Sequence, residues 1–290
     1  MRRRFRALQK RNLFETTFGR HMPFDLLFSP FTLIVGSLAA FLVGLAKTGT
    51  PGVGLFACLL MISAFPNHEM FASGAVVPLL ILGDLAAVYF YRKDCDPRLL
   101  KRLAPPVVIG LLFGTVVLCF MKNSQFRVTV GALAVSILVF EFVRQRLGWT
   151  KVATNLPFRW FCGVLAGTTT ILGNAAGAVS AAYFSSQGLD KKRFMGTNAV
   201  FFFLVNVSKI PLMFAATFIK EAMGFEKEAA QVMNGASFLL TAIFALPLIF
   251  GGIVGRKLYR AIPEKIFVPF ILTLNFITAL YLLISAFSSN

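Results

Sequence analysis

Apolar residues in this chain come in long, nearly unbroken runs separated by short polar clusters, with no sustained two-residue alternation. The runs cover about 25–46, 51–65, 70–91, 103–121, 126–147, 157–172, 174–187, 194–219, 232–255 and 263–287. A helix needs about 20 mostly apolar residues to cross the hydrocarbon of a bilayer, and most of the runs reach that length. The pattern predicts an all-α, polytopic transmembrane helix bundle. The second and seventh runs are the shortest. Each directly follows a glycine-rich break, Gly49-Thr50-Pro51-Gly52-Val53-Gly54 in one case and Gly173-Asn174-Ala175-Ala176-Gly177 in the other. If those two segments enter the membrane without crossing it, about eight spans remain; counting them gives up to ten helices.

Composition supports the bilayer as solvent. Of 290 residues, 57% are hydrophobic and 14% charged, where a soluble domain carries about 25% charged residues. One soluble core of this length has too little interior for so much apolar side chain. The formal net charge is +17, but the cations cluster between apolar runs, the membrane pattern rather than that of a nucleic-acid binder. No nucleic-acid partner is expected. Cys58, Cys95, Cys119 and Cys162 form no CxxC pair, and His21 and His68 are the only histidines. The sequence therefore predicts no metal site and no cofactor. No catalytic set is recognisable either, which argues against an enzyme.

The chain repeats itself. Ala72-Ser73-Gly74-Ala75 … Gly83-Asp84 matches Met195-Gly196-Thr197-Asn198 … Val205-Asn206, with Gly74 and Gly196, and Asp84 and Asn206, both 122 residues apart. Pro106, Gly110, Gly114 and Phe126 match Pro247, Gly251, Gly255 and Phe267 at a separation of 141. The expected organisation is a basic cytoplasmic tail (1–24), a first transmembrane repeat (25–147), a polar joint (148–156) and a second repeat (157–288). With eight spans and the N-terminus inside, Lys and Arg divide 18 inside to 9 outside. Ten spans with the N-terminus inside give 11 to 16, and with the N-terminus outside 16 to 11. The positive-inside rule prefers eight spans and leaves the last arrangement open. Four crossings per half make the halves parallel; five make them inverted.

A few polar residues stand out against this background. Lys47 and Lys209 lie outside the loops, and Asp84 is the clearest intramembrane acid. An ionisable group at that depth is a functional hypothesis by default; the plainer reading is a Lys–Asp pair that fixes helix packing, or lysines that snorkel to an interface. Interruptions at matching places in two halves point to a transport site. Half-helix N-termini there offer unshielded N–H groups to an anion. The candidate substrate-binding residues are Lys47, Thr48, Gly49, Thr50 and Gly52 from the first break, with Thr169, Asn174, Asn198, Asn206 and Lys209 from the second half. Asp84 is the candidate coupling group or charge partner. Gly110-xxx-Gly114 and Gly251-xxx-Gly255 read as helix-packing motifs.

These segments resemble the sulfite exporter TauE/SafE family of membrane permeases. The likeness is carried by Gly44-Leu45-Ala46-Lys47-Thr48-Gly49-Thr50-Pro51-Gly52, Pro78–Asp84, Tyr91-Arg92-Lys93, Gly167-Thr168-Thr169, Gly196-Thr197-Asn198-Ala199 and Val205–Pro211. It implies a multi-pass plasma-membrane permease whose substrate is a small anion, such as sulfite, a sulfonate or a related organic anion. Small anion and membrane lipid are the expected partners. A membrane-embedded structural or assembly subunit without transport activity is the alternative.

Overall fold

A computed structural model describes residues 28–48, 53–146, 156–225 and 231–261, together with Thr273, Phe276, Ile277, Leu280 and Ile284. The elements are α1 (Pro30–Thr48), α2 (Val53–Ser63), α3 (Glu69–Tyr91), a 3₁₀ turn (Arg92–Asp94), α4 (Pro97–Phe120), α5 (Asn123–Arg146), α6 (Leu156–Gly173), α7 (Gly177–Ser186), α8 (Lys191–Ala222) and α9 (Gly235–Ala261). Among the described residues every regular element is helical. The apolar runs forecast them within a few residues, apart from α9, which ends six residues late, and α4, which starts six residues early. The reason in α4 is local: the Asp96 carboxylate caps the Arg98 and Leu99 N–H groups at 3.0 and 3.3 Å, and Pro97 sits at the first helical position, where its missing N–H costs nothing. Asp190 caps α8 in the same way through Arg193 N at 2.9 Å. The run at 263–287 lies almost wholly outside the described residues.

Five of the described helices are long and apolar enough to cross a membrane: Pro30–Thr48, Glu69–Asp94, Pro97–Phe120, Lys192–Ala222 and Gly235–Lys257. Their outer faces carry large apolar side chains, among them Ile34, Phe218 and Leu246, each at least 70% exposed. Such faces are stable only against hydrocarbon. α2 has 11 residues and α7 has 10, so each rises only about 15 Å, half of the roughly 30 Å hydrocarbon core.

The helix directions follow from the contacts. One end of the bundle, the Asn67 pole, holds the start of α3; the other, the Arg92 pole, holds its end. α1 starts at the Asn67 pole and α2 returns there: Ala46 faces Gly54 across the tip, and the Thr32 hydroxyl donates to the Ala64 carbonyl at 3.2 Å. α3 crosses to the Arg92 pole and α4 crosses back. α6 starts at the Arg92 pole and α7 turns back toward it, which brings Tyr183 against Phe158 at 6.4 Å between ring centroids. α8 begins beside the 3₁₀ turn, where Thr197 Oγ1 accepts from Asp96 N at 2.9 Å, and ends beside Met121, whose carbonyl accepts from Lys220. The two hairpins, α1–α2 and α6–α7, therefore enter from opposite poles.

α3 and α8 cross antiparallel at the centre, α1 packs on α9 and α4 packs on α6. The last two pairs run parallel and touch backbone to backbone. A methyl group on Gly110 would come within 2.2 Å of the Val164 carbonyl oxygen, and one on Gly251 within 1.9 Å of that of Phe41. The small-xxx-small motifs are packing surfaces, as expected.

Candidate functional site

Lys47 occupies the last turn of α1 and Asp84 the C-terminal third of α3. Their side chains form an ion pair at 2.6 Å, with Asp84 only 1% exposed. The other Asp84 oxygen accepts from Asn206 Nδ2 at 2.6 Å. Asp84 and Asn206, the two positions 122 residues apart that the sequence pattern matches, thus bond to one another across the α3–α8 crossing. The Lys47 ammonium also lies over the Phe202 ring, 4.8 Å from its centroid, a favourable position for a desolvated cation.

Lys209 follows Asn206 by one helical turn and is fully buried. Its ammonium donates to Asn174 Oδ1, to Thr170 Oγ1 at 3.4 Å and, at the limit of hydrogen-bonding distance, to the Thr170 carbonyl at 3.5 Å. Asn174 is at the break between α6 and α7, in the left-handed conformation with φ 55°, which Asn tolerates better than most residues. That geometry ends α6 and turns the carboxamide inward. Asn174 Nδ2 in turn donates to the Ser73 carbonyl and hydroxyl, both at 3.2 Å. The lysine therefore rests on the carbonyl end of α6, the negative end of its dipole, and its hydrogen-bond partners among the described residues are all neutral oxygens. Cys58, buried in α2, lies within electrostatic reach of both lysines.

The remaining candidates fall in different places. Thr48 is partly buried beside Lys47, its hydroxyl donating to the Gly44 carbonyl at 3.1 Å. Thr169 is buried, but its hydroxyl turns back to Leu165 O at 2.8 Å; the next residue, Thr170, faces Lys209 instead. Asn198 is half-buried on α8, about 12 Å along the axis from Asn206. Gly49, Thr50 and Gly52 lie outside the described residues. Sequence reading passed over Ser73, Thr170, Phe202 and Cys58. Thr170 and Ser73 were visible as polar residues within apolar runs, whereas nothing marked Phe202 among 33 phenylalanines.

Two further buried cations, both assigned to loops on sequence grounds, lie at the Asn67 pole. Arg127 pairs with the buried Glu69 and donates to Asn67 Oδ1 at 3.2 Å. Glu69 Oε1 accepts from Asn67 N at 3.0 Å, and Asn123 ties the same loop to α5 through Asn67 O at 2.9 Å. Lys220 is spent on the Met121 carbonyl and on the Phe225 ring. These groups lock one pole of the bundle. No group of three or more metal-ligating side chains occurs among the described residues.

Long apolar helices with lipid-facing sides, and ionisable groups buried where two helix pairs break, define a multi-pass membrane protein of the transporter class. The chain belongs to the sulfite exporter TauE/SafE family, whose model matches residues 32–282. No curated protein and no solved structure matches it.

Proposed function

We propose that this protein is a secondary transporter, a plasma-membrane permease that moves a small anion such as sulfite, a sulfonate or a related organic anion. The observation that carries the reading is Lys209, a fully buried cation whose hydrogen-bond partners among the described residues are all neutral oxygens. A buried charge without a counter-ion is costly, and an anion that arrives at this lysine supplies the missing charge. Asn174 and Thr170 hold the ammonium in place, Ser73 holds Asn174, and these polar groups are within reach of an anion that arrives there. Asn206, one turn before Lys209 on α8, bonds to Asp84, so one helix carries both the buried lysine and the partner of the Lys47–Asp84 pair. Asp84 holds Lys47 neutralised while the site is empty, and is the group able to take up a coupling proton. Weak, reversible binding suits the task, because the ligand must leave.

The fold supports a two-repeat, inverted arrangement. α1, α3 and α4 in the first half correspond in sequence to α6, α8 and α9 in the second. Exchanging the two sets maps the pair α1–α9 onto α6–α4 and α3–α9 onto α8–α4, all of which pack. A residue bonded to its own repeat mate, as Asp84 is to Asn206, lies where a two-fold axis would pass. Hairpins that return to their own pole favour the ten-segment parity over eight spans, because α1 and α2 together make either two passes or none. Each hairpin tip then brings a break to a lysine from an opposite side of the membrane, a suitable layout for alternating access.

Flux of radiolabelled sulfite and of a short alkyl sulfonate into proteoliposomes tests the proposal. Lys209→Met should reduce flux of the transported anion by about 100-fold, the order expected for removal of a buried, hydrogen-bonded charge. Wild-type flux in that variant would remove Lys209 from the transport path and the reading with it.

A further inference from the structure

A groove of about 830 Å³ opens sideways between α1, α3 and α9. Its walls are Leu85, Ala86, Phe90, Ile249 and Ile253, with Lys47, Arg256 and Lys257 among its lining residues. Leu85, Phe90, Ile249 and Ile253 are each about half exposed, so the groove faces the surroundings of the bundle and is not a closed chamber. α9 runs toward the Arg92 pole, which places Ile249 deep and Arg256 and Lys257 near that pole; on α3, Leu85 lies deeper than Phe90. The groove is thus apolar within and cationic at its polar end. The Arg256 guanidinium carbon lies over the Phe90 ring, 4.9 Å from its centroid, and among the described residues no carboxylate pairs with Arg256 or with Lys257. The same pole carries Arg92, Lys93, Arg98, Lys101 and Arg102.

We infer that this groove is a binding site for an anionic phospholipid, with one acyl chain along α3 and α9 and the phosphate between Arg256 and Lys257. The match is one of charge and of polarity along the membrane normal. A lipid has its apolar chain inside and its anionic head at the interface, and this groove presents those two surfaces in that order. Basic pockets between transmembrane helices recognise anionic headgroups by this chemistry. A zwitterionic lipid would place its own cation beside Arg256 and Lys257, and a second protein chain would have to bring a carboxylate to match them. Lys47 of the transport reading lines the deep end of the same groove, but the phosphate contacts are Arg256 and Lys257 and not Lys209, so the two readings can fail separately.

The test is native mass spectrometry of the purified full-length protein with phosphatidylglycerol and phosphatidylcholine of identical chains. Phosphatidylglycerol should bind preferentially. Arg256→Gln with Lys257→Gln should lower that preference by about fivefold for each charge removed. Gly252→Leu, which projects into the groove beside the Thr48 methyl where a Cβ meets nothing closer than 3.5 Å, should weaken retention of the lipid while leaving both cations in place. Equal binding of the two lipids by the wild-type protein would overturn the inference, as would a preference unaltered in the double glutamine variant. Competition by glycerol phosphate as effective as by the whole lipid would also overturn it, by showing a free-anion site without a role for the chain. If the double variant is not recovered folded, the wild-type comparison and Gly252→Leu still decide.

Discussion

Lys47 and Lys209 keep different company, and the difference assigns them different roles. Lys47 has a carboxylate at 2.6 Å and an aromatic face beside it, whereas Lys209 has, among the described residues, amide, hydroxyl and carbonyl oxygens as its hydrogen-bond partners. The Lys47–Asp84 pair is what helix packing alone would require; Lys209 is not. Removing one member of a buried pair strands the other, at a cost of about 3–5 kcal/mol, while replacing both by apolar groups of similar volume is close to neutral. Asp84→Ala should therefore destabilise the protein strongly, seen as a large fall in the detergent melting temperature, and adding Lys47→Met should recover most of the loss. A double variant as unstable as Asp84→Ala would show that Asp84 is held chiefly by Asn206. If the pair also serves transport, the stable double variant stays inactive in the flux assay, which separates folding from function.

At the scale of the helix, the two breaks matter most. Their position was legible in the sequence because glycine, proline and asparagine interrupt the apolar runs at matching places in the two halves. What the chain does after each break was not legible. Hydropathy registers how apolar a segment is, not its direction, so α2 and α7 read equally well as short crossings or as dead ends. The direction is set by tertiary contacts such as Thr32 to Ala64 and Phe158 to Tyr183. The same limit explains Thr169 and Thr170. Both stood in the polar break, but which of two neighbours faces a helix 35 residues or more away depends on the rotation of α6, and that is fixed by close packing of Gly163 and Gly167 on α4. The α1–α2 hairpin has a direct check. A Cβ on Gly54 would lie 3.8 Å from that of Ala46, the usual separation across a disulfide. In a background without native cysteines, Ala46→Cys with Gly54→Cys should cross-link readily on mild oxidation. A failure to cross-link, with both thiols accessible to a small alkylating reagent, would mean that the tip is open or that α2 points elsewhere.

For the molecule as a whole, helix direction decides which charges share a side. α3, α4, α8 and α9 each join the two poles, and both hairpins return to the pole they leave, which puts 92–102, Arg159, 191–193 and Arg256–Lys257 at one pole; the ten-segment order read from the sequence extends this to the whole clusters 92–102, 144–159, 191–193 and 256–265. They carry 16 Lys and Arg, against 11 for the opposite side with its basic tail. The eight-span count, which gave 18 to 9 with the tail inside, needs α2 to end across the membrane from where α1 begins, and the Thr32–Ala64 contact opposes this. Charge near the membrane carries the positive-inside signal and charge far from it does not. Much of the tail's charge lies in Arg2, Arg3, Arg4 and Arg6, over 20 residues ahead of α1, so the effective imbalance is larger than 16 to 11. The Arg92 pole should therefore face the cytoplasm, with the tail on the other side, contrary to the placement that the eight-span count favours. Single cysteines at Arg98 and at Gln125, introduced into a cysteine-free chain, would settle the orientation in intact cells. A membrane-impermeant maleimide should label Gln125→Cys and reach Arg98→Cys only after permeabilisation. The reverse pattern would put the Arg92 pole outside, and with it the proposed headgroup site of the α1–α3–α9 groove.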